Sequence, residues 1–272
     1  MFELLREMLN YPFMARALVA GGLIALCASL LGVSLVLKRY SMIGDGLSHV
    51  SFGALAVATA LNAAPLQVSI PVVVAAAFLM LRLSENSRIK GDALIALIST
   101  GSLAVGIMAL SLTRGMNVDV YNFLFGSILA MGRGDVLVSV VLSAVVLVLY
   151  ALFYSKIFAV TFDECFARAT GIKVGAYNLL IALLTAVTVV LGMRLMGALL
   201  ISSMIIFPAL TSMRVFKSYK SVVLSSAALS VICFFVGIVI SYAWATPVGA
   251  SIVVVNILAF LVFFAAGHIK YR

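Results

Sequence analysis

The chain has 272 residues, of which 65% are hydrophobic and 10% are charged. Soluble domains contain about 45–50% apolar and about 25% charged residues, so this composition excludes an ordinary soluble protein and indicates a polytopic membrane protein. The net charge of +9 is spread over short loops without a basic cluster that interleaves aromatic residues. We therefore expect membrane lipid around the chain and no nucleic-acid partner.

The hydrophobic runs predict an all-α fold with about nine transmembrane helices, because each helical span needs roughly 20 apolar residues. The stretch 113–135 is too polar at its front for a clean span, so eight and ten spans are alternatives. Within it, residues 118–130 fit either a short helix at the outer face or a re-entrant segment. The predicted spans cover about residues 13–37, 46–62, 66–83, 92–113, 135–155, 175–193, 195–213, 222–243 and 249–268.

The basic residues predict the orientation, because cytoplasmic loops carry an excess of Lys and Arg. Of the 18 basic residues, most lie on one set of alternate loops and ends. We therefore expect the N-terminus outside and the C-terminus in the cytoplasm. The residues on the cytoplasmic side are Lys38, Arg39, Arg82, Arg88, Lys90, Lys156, Arg168, Lys173, Arg214, Lys217, Lys220, Lys270 and Arg272.

An ionisable pair, Asp45 and His49, lies in an otherwise apolar region. The two residues are one helical turn apart and would share a face. Ionisable groups inside a membrane are costly and usually mark an ion or proton pathway, and imidazole with carboxylate also suits a divalent transition metal. Because Gly44, Gly46 and Ser48 surround the pair, we expect irregular backbone here, lying inside the protein beside other helices.

Pro208 lies in the apolar segment LLISSMIIFPALTS. Proline cannot donate a backbone hydrogen bond and crowds the preceding turn. Pro208 therefore predicts a break, where the helix bends or ends.

The longest cytoplasmic connection, residues 156–175, predicts a short amphipathic helix. Thr161 or Asp163 can cap it, with Glu164 in its first turn. A helix that anchors to the membrane surface is expected to carry a basic polar face. This one carries two acids against Arg168, which favours docking to a cytoplasmic protein.

The sequence contains no GxxxxGK[ST] phosphate loop, no HExxH pair, no serine elbow and no redox dithiol. The chain is therefore expected to be a transporter component and not an enzyme. If ATP powers the transport, a separate chain must hydrolyse it. The alternative is a stand-alone secondary carrier or channel in which Asp45 and His49 relay protons.

Five segments in order resemble motifs of the ABC-3 family, the membrane subunits of bacterial ABC importers for zinc, manganese and iron. Gly46 and Ala245 depart from that family's usual alanine and aspartate, while Asp45 and His49 are kept. The segments are GDGLSHVSFG at 44–53, VDVYNFLFGSILA at 118–130, TFDECFARATGI at 161–172, MGALLISSMIIFPALTS at 196–212 and ATPVGASIVV at 245–254.

The resemblance implies a single permease domain over residues 1–272, multi-pass in the bacterial inner membrane. It implies a dimer of two copies of this chain, two copies of a cytoplasmic ABC ATPase, and an extracytoplasmic metal-binding protein. Asp45 and His49 would contact the metal in a path that opens alternately to each side. A coupling helix at about 161–171 would contact the ATPase through Asp163, Glu164, Ala167 and Gly171.

No permanently bound cofactor is expected, because the metal is the cargo. Zinc is the first candidate, since residues 118–130 resemble the zinc members of the family. Mn²⁺ and Fe²⁺ are alternatives, because one imidazole and one carboxylate do not separate these metals by ligand type.

Overall fold

The computed structural model describes residues 11–86, 91–113, 126 and 132–270. Every regular element in these residues is an α-helix, which confirms the predicted all-α class. The helices are α1 (Pro12–Leu37), α2 (Ser41–Ala60), α3 (Pro65–Asn86), α4 (Gly91–Thr113), α5 (Arg133–Leu152), α6 (Tyr154–Phe162), α7 (Glu164–Ala169), α8 (Val174–Met196), α9 (Ala198–Val215), α10 (Tyr219–Trp244) and α11 (Val248–Lys270).

Eight of the described helices are long and apolar enough to cross a membrane, namely α1, α3, α4, α5 and α8 to α11. Helix α2 is a further long helix of 20 residues that carries Asp45 and His49 and is not among these eight. The number of long helices therefore lies within the predicted range. The predicted short helix or re-entrant segment at 118–130 falls outside the described residues, apart from Gly126.

Helices α1 and α8 are the most buried spans, and α4, α5 and α11 are among the least buried. Helix α1 packs against α5, α8, α9 and α10, and α11 packs against α9 and α10. Helix α2 packs mainly against α3 and α4 on one side, and it also contacts α8 and α9. The helix that carries Asp45 and His49 is therefore held between two groups of spans.

The prediction of irregular backbone around Asp45 is wrong, because α2 begins at Ser41 and continues to Ala60. The glycines serve close helix packing instead. A Cβ atom at Gly46 would lie 2.6 Å from Cγ2 of Ile95 on α4, which no real Cβ contact tolerates. The absence of a side chain allows α4 to approach α2, and both Asp45 and His49 lie in regular helix.

The helix does not end at Pro208, because α9 continues through this residue to Val215, and a bend at Pro208 stays a prediction. A proline forfeits its own backbone hydrogen bond, and surrounding helices make that loss tolerable in a membrane. Pro208 is buried among such neighbours. The interruption occurs earlier, at Gly197 (φ 82°, ψ 167°), which is the single residue between α8 and α9.

Tyr219 joins several helix ends at one end of the bundle. Its hydroxyl group shares hydrogen bonds with the hydroxyls of Ser34 on α1, at 3.1 Å, and Tyr150 on α5, at 3.2 Å. At the opposite end, Arg194 on α8 and Asp135 on α5 form an ion pair at 3.4 Å. The ends of α1, α5 and α9 and the starts of α8 and α10 thus share one face of the bundle. Its orientation in the membrane stays a prediction.

Replacing Gly53 by alanine should destabilise the packing of α2 on α4. The new Cβ would lie 2.4 Å from the backbone oxygen of Ser102, which cannot rotate away. We expect the free energy of unfolding to fall by about 1–3 kcal/mol, as overpacking usually costs. Thermal unfolding in detergent measures the change.

Gly101→Ala on α4 is the matched control, because no described atom lies within 4 Å of its added Cβ. Alanine also favours a helix over glycine, so this variant should be as stable as the wild type or more so. Equal loss of stability in both variants would contradict the role assigned to Gly53.

Candidate functional site

Helix α2 brings Asp45 and His49 to one face, with Nε2 of His49 3.7 Å from Oδ2 of Asp45. The side chains are 40% and 30% exposed, respectively, whereas most other residues of α2 are buried. Met42, one turn before Asp45, is 49% exposed and extends the same face. The pair therefore lies on the strip of α2 that the described residues leave uncovered.

The two ring nitrogens of His49 have different surroundings. Nδ1 is buried and has no hydrogen-bond partner among the described residues. Nε2 lies near Asp45 but beyond hydrogen-bond distance. Since a buried polar atom without a partner is costly, this imidazole is arranged for something other than packing. Metal binding or proton transfer would both use it.

Two serines hold the turn that carries the pair. The Ser48 hydroxyl donates a hydrogen bond to the backbone oxygen of Asp45 at 2.7 Å, and the Ser202 hydroxyl donates to Ser48 at 3.2 Å. Ser202 belongs to α9, so this turn of α2 is connected to a second span. Ser202 is not recognisable from the sequence, because a single serine in an apolar helix gives no signal of its own.

The described part of the chain supplies an incomplete ligand set for a metal ion. Within residues 11–86, 91–113 and 132–270, no group of three or more His, Cys, Asp or Glu side chains could hold a metal. Zinc sites in proteins are usually four-coordinate, with three or four protein ligands. Asp45 and His49 alone would therefore need further ligands from outside this part of the chain.

The segment 161–171 contains the short helix α7, which Asp163 caps by accepting a hydrogen bond from the Phe166 backbone N–H at 2.9 Å. Gly171 follows the helix in the left-handed region (φ 83°). Glu164 lies in the first turn, where the positive end of the helix dipole stabilises a negative charge. The local sequence thus explains where α7 begins and why the chain can turn after it.

The predicted coupling residues do not all face outward. Ala167 is fully buried against Val160 and Val174, and Glu164 bonds toward the bundle. The apolar side chains that project from this region are Phe162, 58% exposed, and Phe166, 64% exposed. Helix α7 is therefore anchored on one side and presents aromatic rings on the other.

Lys38, at the end of α1, is held by three groups although its side chain is only 5% exposed. Its ammonium donates hydrogen bonds to Oε1 of Glu164 at 2.5 Å, Oδ1 of Asn178 at 2.8 Å and the backbone oxygen of Val160 at 3.0 Å. Asn178 also donates to Glu164 at 3.2 Å. In the sequence, Lys38 reads only as a loop charge, and nothing near it indicates this cluster.

The cluster changes the acidity of Glu164. Partial burial by itself would raise the pKa of its carboxyl group. Hydrogen bonds from Lys38 and Asn178, together with the charges of Lys38 and Arg168, outweigh burial and lower the pKa below its ordinary value. Glu164 is therefore ionised at neutral pH, and its attraction to Lys38 is lost only as the pH falls through that lowered pKa.

Residues 10–267 match the ABC 3 transport family. The chain belongs to this family. It is 30% identical to the manganese import system permease protein ScaB of Streptococcus gordonii, over 99% of this chain and 97% of that protein. It is 28% identical to the high-affinity zinc uptake system membrane protein ZnuB of Haemophilus influenzae, over 90% and 94% of the two chains.

The fold is shared with a solved structure, that of PsaBC from Streptococcus pneumoniae in complex with Fab. It matches with a TM-score of 0.86 and 28% identity, covering 96% of this chain and 94% of that chain. The family membership predicted from the sequence motifs is thus confirmed. The two named relatives carry different metals in their names, so the comparisons do not single out zinc.

Proposed function

We propose that the chain is the permease subunit of an ATP-driven importer for a divalent transition metal. The observation that carries this proposal is the Asp45–His49 pair, 30–40% exposed on α2, in which Nδ1 of His49 has no described hydrogen-bond partner. His49 lies about 12 Å along α2 from Ser41, close to the middle of a hydrocarbon layer about 30 Å thick. Exposing two ionisable side chains to lipid is energetically unfavourable, so the pair must face protein or a water-filled path.

A second copy of the chain is the proposed cover. Two-fold symmetry places the same face of each copy opposite the other. Two Asp45 and two His49 side chains would then provide four ligands, the usual number for zinc. Rocking of the two copies would open this site first to the outside and then to the cytoplasm. A metal-binding protein outside the cell would deliver the ion.

A separate ATPase is the proposed source of energy, because the chain has no phosphate loop. The exposed rings of Phe162 and Phe166 suit a groove on that ATPase. Asp163 and Gly171 would fix the ends of the docking helix, and Glu164 and Ala167 would hold it to the bundle. A stand-alone carrier needs no such surface, so the ABC importer is favoured over a proton-coupled carrier.

Zinc is the first candidate for the cargo, because residues 118–130 resemble the zinc members of the family. Manganese is the second candidate, favoured by the identity to the manganese permease ScaB. Iron accepts the same donor atoms and is the third metal to compare. The orientation consistent with this function places the end with α7 in the cytoplasm.

Growth rescue tests the cargo. The permease, produced with its ATPase and metal-binding protein in a cell lacking its own metal importers, should restore growth at limiting zinc. Manganese and iron are supplied one at a time in parallel cultures. Growth rescue by manganese alone would show that manganese, and not zinc, is the cargo. Rescue by none of the three, or metal uptake by vesicles that contain the permease alone, would overturn the importer.

Asp45→Asn and His49→Ala should each reduce metal uptake by more than about tenfold, because even outer-shell partners of a metal site are worth about 10–100-fold in affinity. Uptake of radioactive metal by whole cells measures the effect, and membrane insertion should be unchanged. His268→Ala is the control, since it removes the chain's other histidine at the far end of α11. Wild-type uptake in both site variants would remove the assigned site.

Phe166→Ser should weaken the association with the ATPase, because it removes the more exposed of the two aromatic rings beside α7. The ATPase that co-purifies with the permease in detergent measures the association. Leu61→Ser is the matched control, since Leu61 is 73% exposed at the opposite end of α2. If both variants retain the ATPase equally, α7 is a simple connector.

A further inference from the structure

We propose that Lys38 is a positioning residue that passes the movement of α7 to the Asp45–His49 pair. The inference rests on the proposed function, since it concerns how ATP hydrolysis would reach the metal. Two features of the described chain carry it. One is the set of bonds that joins Lys38 to α7, and the other is the short connection from Lys38 to α2.

The ammonium of Lys38 has three donors, and three acceptors receive them. The acceptors come from α6 (Val160), α7 (Glu164) and α8 (Asn178). Separating a buried charge from its partners is strongly unfavourable, more so than for a surface pair. When the ATPase displaces α7, we therefore expect Lys38 to follow Glu164 and not to release it.

The connection from Lys38 to α2 is too short and too well bonded to absorb that displacement. It consists of Lys38, Arg39 and Tyr40, whose backbone N–H groups bond back to α1 at 3.0, 3.1 and 2.8 Å, respectively. Arg39 adopts the left-handed region (φ 61°), which makes the turn tight. A shift of Lys38 is therefore transmitted to Ser41, the first residue of α2.

Helix α2 then carries the shift to the metal site. It is continuous from Ser41, and Asp45 follows about 6 Å along the helix, at 1.5 Å per residue. Ala167 fixes the other side of α7 to α6 and α8, through Val160 and Val174. Among the described contacts of α7, Lys38 is the one that leads directly to the start of the site helix.

The first test compares metal transported per ATP hydrolysed in the complete importer, reconstituted in vesicles with its ATPase and metal-binding protein. Lys38→Met removes the charge and keeps the length of the side chain. The ratio should fall about fivefold or more, the usual range of coupling between sites, while ATP is still hydrolysed. Arg39→Met is the control, because it removes the neighbouring, exposed charge. An unchanged ratio, or an equal fall in both variants, would overturn the proposal.

A double-mutant cycle tests whether Lys38 acts through Glu164. Glu164→Gln keeps an acceptor oxygen and removes only the charge, so it also serves if Lys38→Met does not fold. The single variant should lower the ratio, and adding Lys38→Met should cause little further loss, because both changes break one interaction. Losses that simply add would show that the two residues act separately.

Spin labels at Leu61, at the C-terminal end of α2, and at Arg168 on α7, both exposed, provide a readout that a merely stabilising role would not move. In the wild type the distance between the labels should stay the same with and without ATP, because the two helices move together. In Lys38→Met it should change between the two states. A distance that changes with ATP in the wild type would overturn the proposal that Lys38 couples α7 to α2.

The two proposals fail in different ways. If the wild-type importer moves none of the three metals, the proposed function is wrong whatever Lys38 does. If the wild type transports metal and Lys38→Met keeps the metal-to-ATP ratio, only the role of Lys38 is wrong.

Discussion

Lipid tails offer no hydrogen bonds, so a charged side chain at the membrane must be paired inside the protein or reach water. Lys38 meets this constraint within one chain, because Glu164, Asn178 and Val160 satisfy its ammonium. Asp45 and His49 do not, since they remain half-exposed and Nδ1 of His49 has no described partner. The contrast separates a cluster with satisfied hydrogen bonds, which holds helices together, from a partly exposed pair, which is the proposed metal site.

The open cluster stands on a rigid support. Apolar packing against α3 and α4 fixes one side of α2, and the Ser202–Ser48 hydrogen bond fixes the turn that carries Asp45. Ligands held by their own surroundings need little reorganisation when an ion arrives. The freedom that transport requires must then come from movement of whole helices and not from local loosening at the site.

Much of the fold was predictable because it depends on the lengths of apolar runs. A run of roughly 20 apolar residues in a membrane has one stable backbone, the helix. The Asp45–His49 pair was predictable for the opposite reason, since ionisable residues are rare in such runs. The sequence motifs also predicted the family, and the match of residues 10–267 to the ABC 3 transport family confirms it.

The remaining features depend on neighbours that are distant in sequence. Gly46 reads as a sign of irregular backbone until the approach of Ile95 is known. Pro208 reads as a possible helix end until its burial within a continuous α9 is seen. Lys38 reads as a solvated loop charge, because its partner Glu164 lies 126 residues further along the chain. None of these neighbours follows from local pattern.

The connection between α8 and α9 offers little surface for binding at the end of the bundle that carries the Arg194–Asp135 ion pair. Gly197 is the whole connection, and it is buried together with Met196 and Ala198. Because this connection does not protrude, we expect it to resist proteolysis, antibody binding and the insertion of a tag. A partner protein that approaches this end of the bundle must therefore contact other segments. Because their connection is so short, we expect α8 and α9 to move together as one helical hairpin.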